Sequence, residues 1–123
     1  MVNSSPLNTQ DVADRLVALI RQRQFIRAQQ ELFAEQAVNV EPAHSPSPSA
    51  TGLPAILRKE ERFLAAVLTW HQLEVSEPLV AGNFFSLRMR TEVTLKNQTR
   101  FSLDELCVYE VIEGQIIREQ FFY

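Results

Sequence analysis

Two carboxylates in the C-terminal stretch ELCVYEVIEGQIIREQFFY, Glu105 and Glu119, fall in rows of apolar residues spaced two apart. A carboxylate set among Leu, Cys and Phe is costly to ionise, and a second one nearby makes it costlier. Such a pair can hold one proton between them and so present an acid and a base near neutral pH. His71 exchanges protons in the same range, and Tyr109 could donate a hydrogen bond to a substrate oxygen. These parts suit proton abstraction beside a carbonyl, the chemistry of isomerases and aldol-type cyclases. The bland reading stands beside it: paired structural carboxylates, His71 as a cap at a helix-to-strand junction, and Tyr109 as core. Cys107 has no adjacent His or Lys to activate it and reads as a small hydrophobe. His44 and His71 lack the short spacing of metal ligands, so neither a metal nor another cofactor is expected.

The elements that must position these groups follow from periodicity. Asn8 or Thr9 can cap a first helix whose buried stripe is Val12, Leu16, Leu19 and Ile20, preceded by a frayed segment 1–8. A second helix is expected over 25–36, then a short extra strand near 37–41. Prolines and serines make 42–53 a loop, mobile and near the pocket mouth. Pro54 opens a third helix that ends near Trp70. From His71 onward the apolar residues alternate with polar ones, broken at Gly82, Asn97 and Gly114. The pattern is α+β: a single domain over 1–123, a cone of three N-terminal helices packed on a curved, mainly antiparallel four-stranded meander.

Turn length then decides which side chains meet. Three-residue loops at 80–82, 97–99 and 112–114 place every odd-numbered apolar row on one face. The expected cross-strand rows are His71, Thr91, Glu105, Phe121; then Leu73, Met89, Cys107, Glu119; then Val75, Leu87, Tyr109, Ile117. Glu105 and Glu119 become diagonal neighbours with backbones roughly 7 to 8 Å apart. The expected pocket wall is Leu16, Trp70, Leu87, Met89, Cys107, Tyr109 and Phe121. On the opposite face Leu106, Val108, Ile112, Ile116 and Phe122 form an apolar patch suited to a homodimer.

Composition narrows the class of function. The chain has 123 residues and 46% hydrophobic residues, enough for a core and too apolar for disorder throughout. A net charge of −3 without a Lys/Arg cluster argues against nucleic acid. Apolar runs such as 16–20 are too short for a membrane span, and MVNSSPLNTQ lacks the parts of a signal peptide. One cysteine excludes an intrachain disulfide. The expectation is a soluble, cytoplasmic protein.

The stretches FAEQAVNVEP (33–42), VAGNFFSLRMR and VYEVIEGQIIREQFFY, in this order of helices, loop and meander, resemble the SnoaL-like polyketide cyclases. That family lies in the nuclear-transport-factor-like, ketosteroid-isomerase-like superfamily. The resemblance implies the cone fold and a pocket between sheet and helices. In the related isomerases a catalytic Asp precedes a proline after the second helix, and Glu41 before Pro42 takes that place here. Their first-helix tyrosine falls near Leu16, which cannot donate, and their strand acid falls near Cys107, one inward position from Glu105. A steroid isomerase is therefore not expected. The resemblance implies binding of a small hydrophobic or carbonyl-containing molecule, with Glu41, Glu105, Glu119 and His71 as acid/base candidates. The alternative is a non-catalytic ligand-binding or protein-interaction module.

Overall fold

The computed structural model describes residues 7–123, so residues 1–6 of the expected frayed segment lie outside the described residues. Helix α1 (Thr9–Arg21) begins at a reciprocal cap: the Asn8 side chain accepts the Asp11 N–H at 2.8 Å, and Asp11 accepts the Asn8 N–H at 3.4 Å. Its stripe of Val12, Leu16, Leu19 and Ile20 is buried as expected. Helix α2 (Phe25–Leu32) stops four residues short of the expected end. The reason is strand β1 (Phe33–Val40), which lies parallel to the last strand and draws Phe33 and Ala34 into the core. A tertiary ladder overrides local helix preference here.

The expected loop carries a two-residue strand, β2 (Ala50–Thr51), paired to β1. Helix α3 (Leu53–Ala66) has Pro54 in its first turn and ends before Trp70. From Val67 the chain is already strand β3 (Val67–Val75), because Val67, Thr69 and Trp70 pair with Leu95, Thr94 and Val93. Strands β4 (Leu79–Ala81), β5 (Phe84–Leu95), β6 (Arg100–Ile112) and β7 (Gln115–Phe122) complete the chain. The architecture is α+β, with three helices against one curved sheet, but the sheet is seven-stranded and mixed rather than a four-stranded meander. Its order is β2-β1-β7-β6-β5-β3, with β4 also beside β5.

The turns correct the expected register. At 96–98 the loop has three residues and Gln98 is left-handed (φ 72°), one position earlier than expected. At Gly82–Asn83 and Glu113–Gly114 the hairpins close with two residues. Glu113 (φ 50°) and Gly114 (φ 77°) give the mirror-image turn that matches strand twist. Two-residue turns pair odd positions with even ones, and bulges restore the alignment. Ile117 is left over between the pairs Val111–Ile116 and Glu110–Arg118, so Ile116 and Glu119 both point inward. His71 is left over between Trp70–Val93 and Gln72–Glu92, so Trp70 and Leu73 pack against the core while His71 points out. Ile116, expected on the outer patch, is fully buried because the two-residue turn sets it opposite inward-facing Val111.

Candidate functional site

Between the sheet and the helices lies a cavity of about 390 Å³ with a mainly apolar wall. Its lining comes from all three helices and from β1, β3, β5, β6 and β7. One end is aromatic. Trp70 stacks on Phe25 with ring centres 5.6 Å apart, and Phe63 sits edge-on to Trp70 at 6.2 Å and to Phe101 at 5.9 Å. Elsewhere the wall is polar, where Glu41, Glu119, Asn39, Lys59 and Tyr123 are linked by hydrogen bonds.

Across four strands one inward row reads Phe85, Tyr109, Glu119, Asn39. The Tyr109 ring stacks on Phe85 at 4.7 Å, and its hydroxyl faces Glu119 and Cys107. Burial pushes that phenol well above its ordinary pKa, so it stands as a donor. Asn39 donates from Nδ2 to Glu119 Oε1 at 2.7 Å. Lys59 Nζ donates to Asn39 Oδ1 and, at 2.7 Å, to Glu41. Tyr123 donates its hydroxyl to Glu41 at 2.9 Å and lies 2.6 Å from the Ser45 hydroxyl, tying the Pro/Ser-rich loop over this end. The resulting chain runs Tyr123, Glu41, Lys59, Asn39, Glu119.

Glu105 stands apart from that chain. It faces Met89 across β5, and among the described residues only the Cys107 thiol reaches it as a side-chain donor. Burial first, then the charges of Glu119 and Glu41, push its pKa up to about 8. Burial also lifts Glu119 to about 7, against the opposing donation from Asn39. The two do not share a proton across a hydrogen bond, as a diagonal pair would. Glu119 opposes Tyr109, the pair Cys107–Phe121 intervenes, and Glu105 lies four residues along β6, roughly 13 Å of strand. They couple through charge across the cavity.

The structure brings Glu41, Glu105, Glu119, Tyr109, Leu16, Trp70, Met89 and Phe121 to one cavity. His71 is not among them: the bulge turns it to the exposed face, where Nε2 lies 2.7 Å from Thr94 Oγ1. Leu87 and Cys107 belong to the core behind the wall, both almost fully buried and neither lining the cavity. Among the described residues no group of His, Cys, Asp and Glu could hold a metal.

Sequence reasoning missed a third elevated carboxylate and the one cation of the described wall. Ile56, Lys59, Glu60 and Phe63 follow one another at helical spacing and together face the cavity from α3. Burial lifts Glu60 to about 7, opposed by Gln29, which donates from Nε2 at 3.0 Å. The signal was present: Ile56 and Phe63 mark an inward stripe, and positions 59 and 60 must lie on it.

The comparisons agree with this geometry. The family model of the SnoaL-like domain matches residues 7–123. A structure from Mesorhizobium loti, described as a SnoaL-like polyketide cyclase, aligns at TM-score 0.86 and 26% identity, covering 95% of this chain and all of that one. A protein from Burkholderia thailandensis of the nuclear-transport-factor-like fold aligns at TM-score 0.80 and 17% identity, over 94% of this chain and 90% of the other. A further SnoaL-like structure from Jannaschia aligns at TM-score 0.72 and 12% identity, over 99% and 90% of the two chains. No protein of curated function matches this sequence. Family match and helix-and-sheet cone agree, and the chain belongs to the SnoaL-like domain family.

Proposed function

We propose that this protein binds a small, mainly apolar carbonyl compound in its cavity and moves a proton on it without a cofactor. The observation that carries the reading is Glu105, a buried carboxylate held near pKa 8 on the wall of a 390 Å³ cavity and free of any cationic partner among the described residues. Ionised, it is a base strengthened by desolvation. Its target would be the C–H beside a carbonyl, leaving an enolate whose oxygen accepts from Tyr109 or from a protonated Glu119. Glu119, near 7, can return the proton. Glu41 is ion-paired to Lys59 and positions that end of the pocket.

Deuterium exchange at the α-carbon of a panel of apolar ketones, followed by proton NMR, tests the reading. Exchange should be catalysed by the wild type and fall at least a hundredfold in Glu105→Gln, with ketone binding (read by the fluorescence of Trp70, the sole tryptophan) unchanged. Ketone binding without exchange would leave the non-catalytic binding module. One observation favours that second reading: Glu119 is already hydrogen-bonded within the Asn39–Lys59–Glu41 chain, as a structural carboxylate would be. The exposed outer sheet face belongs to the same proposal as the contact of a homodimer.

A further inference from the structure

We propose that the occupant of this cavity carries a protonated amine, and that its N–H group is held at the corner formed by Gln29 and Glu60. The inference rests on the pocket-binding reading and deepens it by naming the ligand's charge.

Three observations meet at that corner. Gln29 is 7% exposed, lines the cavity, and its Oε1 has no hydrogen-bond partner. Its Nε2 donates to Glu60, so an orphan amide oxygen and a carboxylate stand side by side, two acceptors without a common donor. A buried acceptor left unpaired costs about 1–3 kcal/mol, and a ligand N–H is the group that relieves it. Charge points the same way. The described wall carries Glu41, Glu60, Glu105 and Glu119 against one cation, Lys59, whose contacts are Glu41 and Asn39. Burial holds Glu60 up to about 7 even against the Gln29 hydrogen bond and the charge of nearby Lys59, which is hydrogen-bonded to Glu41 and Asn39 rather than to Glu60.

The surroundings suit an ammonium on an apolar body. Phe63 lies three residues after Glu60, on the same face of α3, and begins the aromatic end with Trp70, Phe25 and Phe101. The rings there can pack a hydrocarbon body, and a ring face can attract an adjoining cation. An alcohol gains less at this corner, and a carboxylate meets two acceptors, the Gln29 oxygen and Glu60, with no free cation among the described wall residues to offset them.

The test compares 2-phenylethylamine, 2-phenylethanol and phenylacetate, of similar size and different charge, by calorimetry and Trp70 fluorescence. The amine is expected to bind at least tenfold more tightly than the alcohol, and phenylacetate most weakly. Glu60→Gln, near-isosteric and free of the carboxylate charge, should bring the amine down to the affinity that the alcohol shows for the same variant. Gln29→Leu should weaken the amine severalfold. Alcohol binding equal to or tighter than amine binding, or an amine preference that survives Glu60→Gln, overturns the proposal and leaves the pocket reading intact. Failure of all three probes to bind overturns the pocket reading and this proposal with it.

Discussion

At the scale of single residues, the decisive fact is that burial acts on carboxylates whose environments differ. Glu119 has Asn39 as a donor and Glu105 has only a thiol, yet both are lifted toward neutrality because desolvation outweighs those contacts. The consequence for stability has a definite sign. A carboxyl whose folded-state pKa is raised adds stability that is complete below about 4.5 and lost as pH rises through about 8. Wild-type stability should therefore fall between pH 5 and 9. Glu105→Gln should show a flatter profile and exceed the wild type at pH 9 by on the order of a few kcal/mol. Urea unfolding at pH 5, 7 and 9 measures it, and carboxyl NMR should find Glu105 titrating well above the ordinary range. Parallel wild-type and variant profiles would refute the elevated pKa.

At the scale of elements, bulges do the aiming. Glu119 and Phe121 reach the cavity because Ile117 is an extra residue in β7; His71 misses it because it is an extra residue in β3. The two-residue turn before the β7 bulge makes the isoleucines on its two sides unequal: Ile116 stands opposite buried Val111 and is fully buried, while Ile112 is 44% exposed. Ile116→Ala should cost about 2–5 kcal/mol by cavity formation. Ile112→Ala, at the rim of the hairpin turn, should cost less than about 0.5 kcal/mol. Denaturant melts of both variants check this, and equal losses would show that the two-residue turn register does not hold in solution. Helix α3 aims as well. It could have been a purely structural apolar stripe, but Lys59 and Glu60 interrupt that stripe at the level of the pocket.

At the scale of the whole molecule, helices cover one sheet face and leave the other bare. On that face Leu106 (54% exposed) stands opposite Phe122 (48%), with Val108 half-buried beside them. The ion pair Arg88–Asp104 borders the patch and can frame a contact between two copies. Light scattering should report a dimer at micromolar concentration, and Leu106→Arg should yield monomers whose ligand affinity is unchanged. A wild-type monomer at that concentration would remove the outer face from the proposal. Among the described residues no helix is long and apolar enough to cross a membrane.

Periodicity alone carried the three helices, the alternating strands and the inward rows of Met89, Glu105, Tyr109 and Glu119, because local geometry repeats every 3.6 or 2 residues whatever the partner. The family resemblance added the pocket between the two layers. Tertiary structure decided the rest. The helix gave way to strand at Phe33 because β7 offered a parallel ladder to Phe33 and, past an irregularity, to Val38–Val40, which local propensity does not record. Glu105 and Glu119 moved apart because two turn residues, rather than three, close the last hairpin, and a bulge then shifts the register. Lys59, Glu60 and Gln29 joined the site because helix packing turned charged faces onto the sheet. Charged residues read as solvent-facing in one dimension, and only the sheet's curvature leaves a cavity deep enough to receive them.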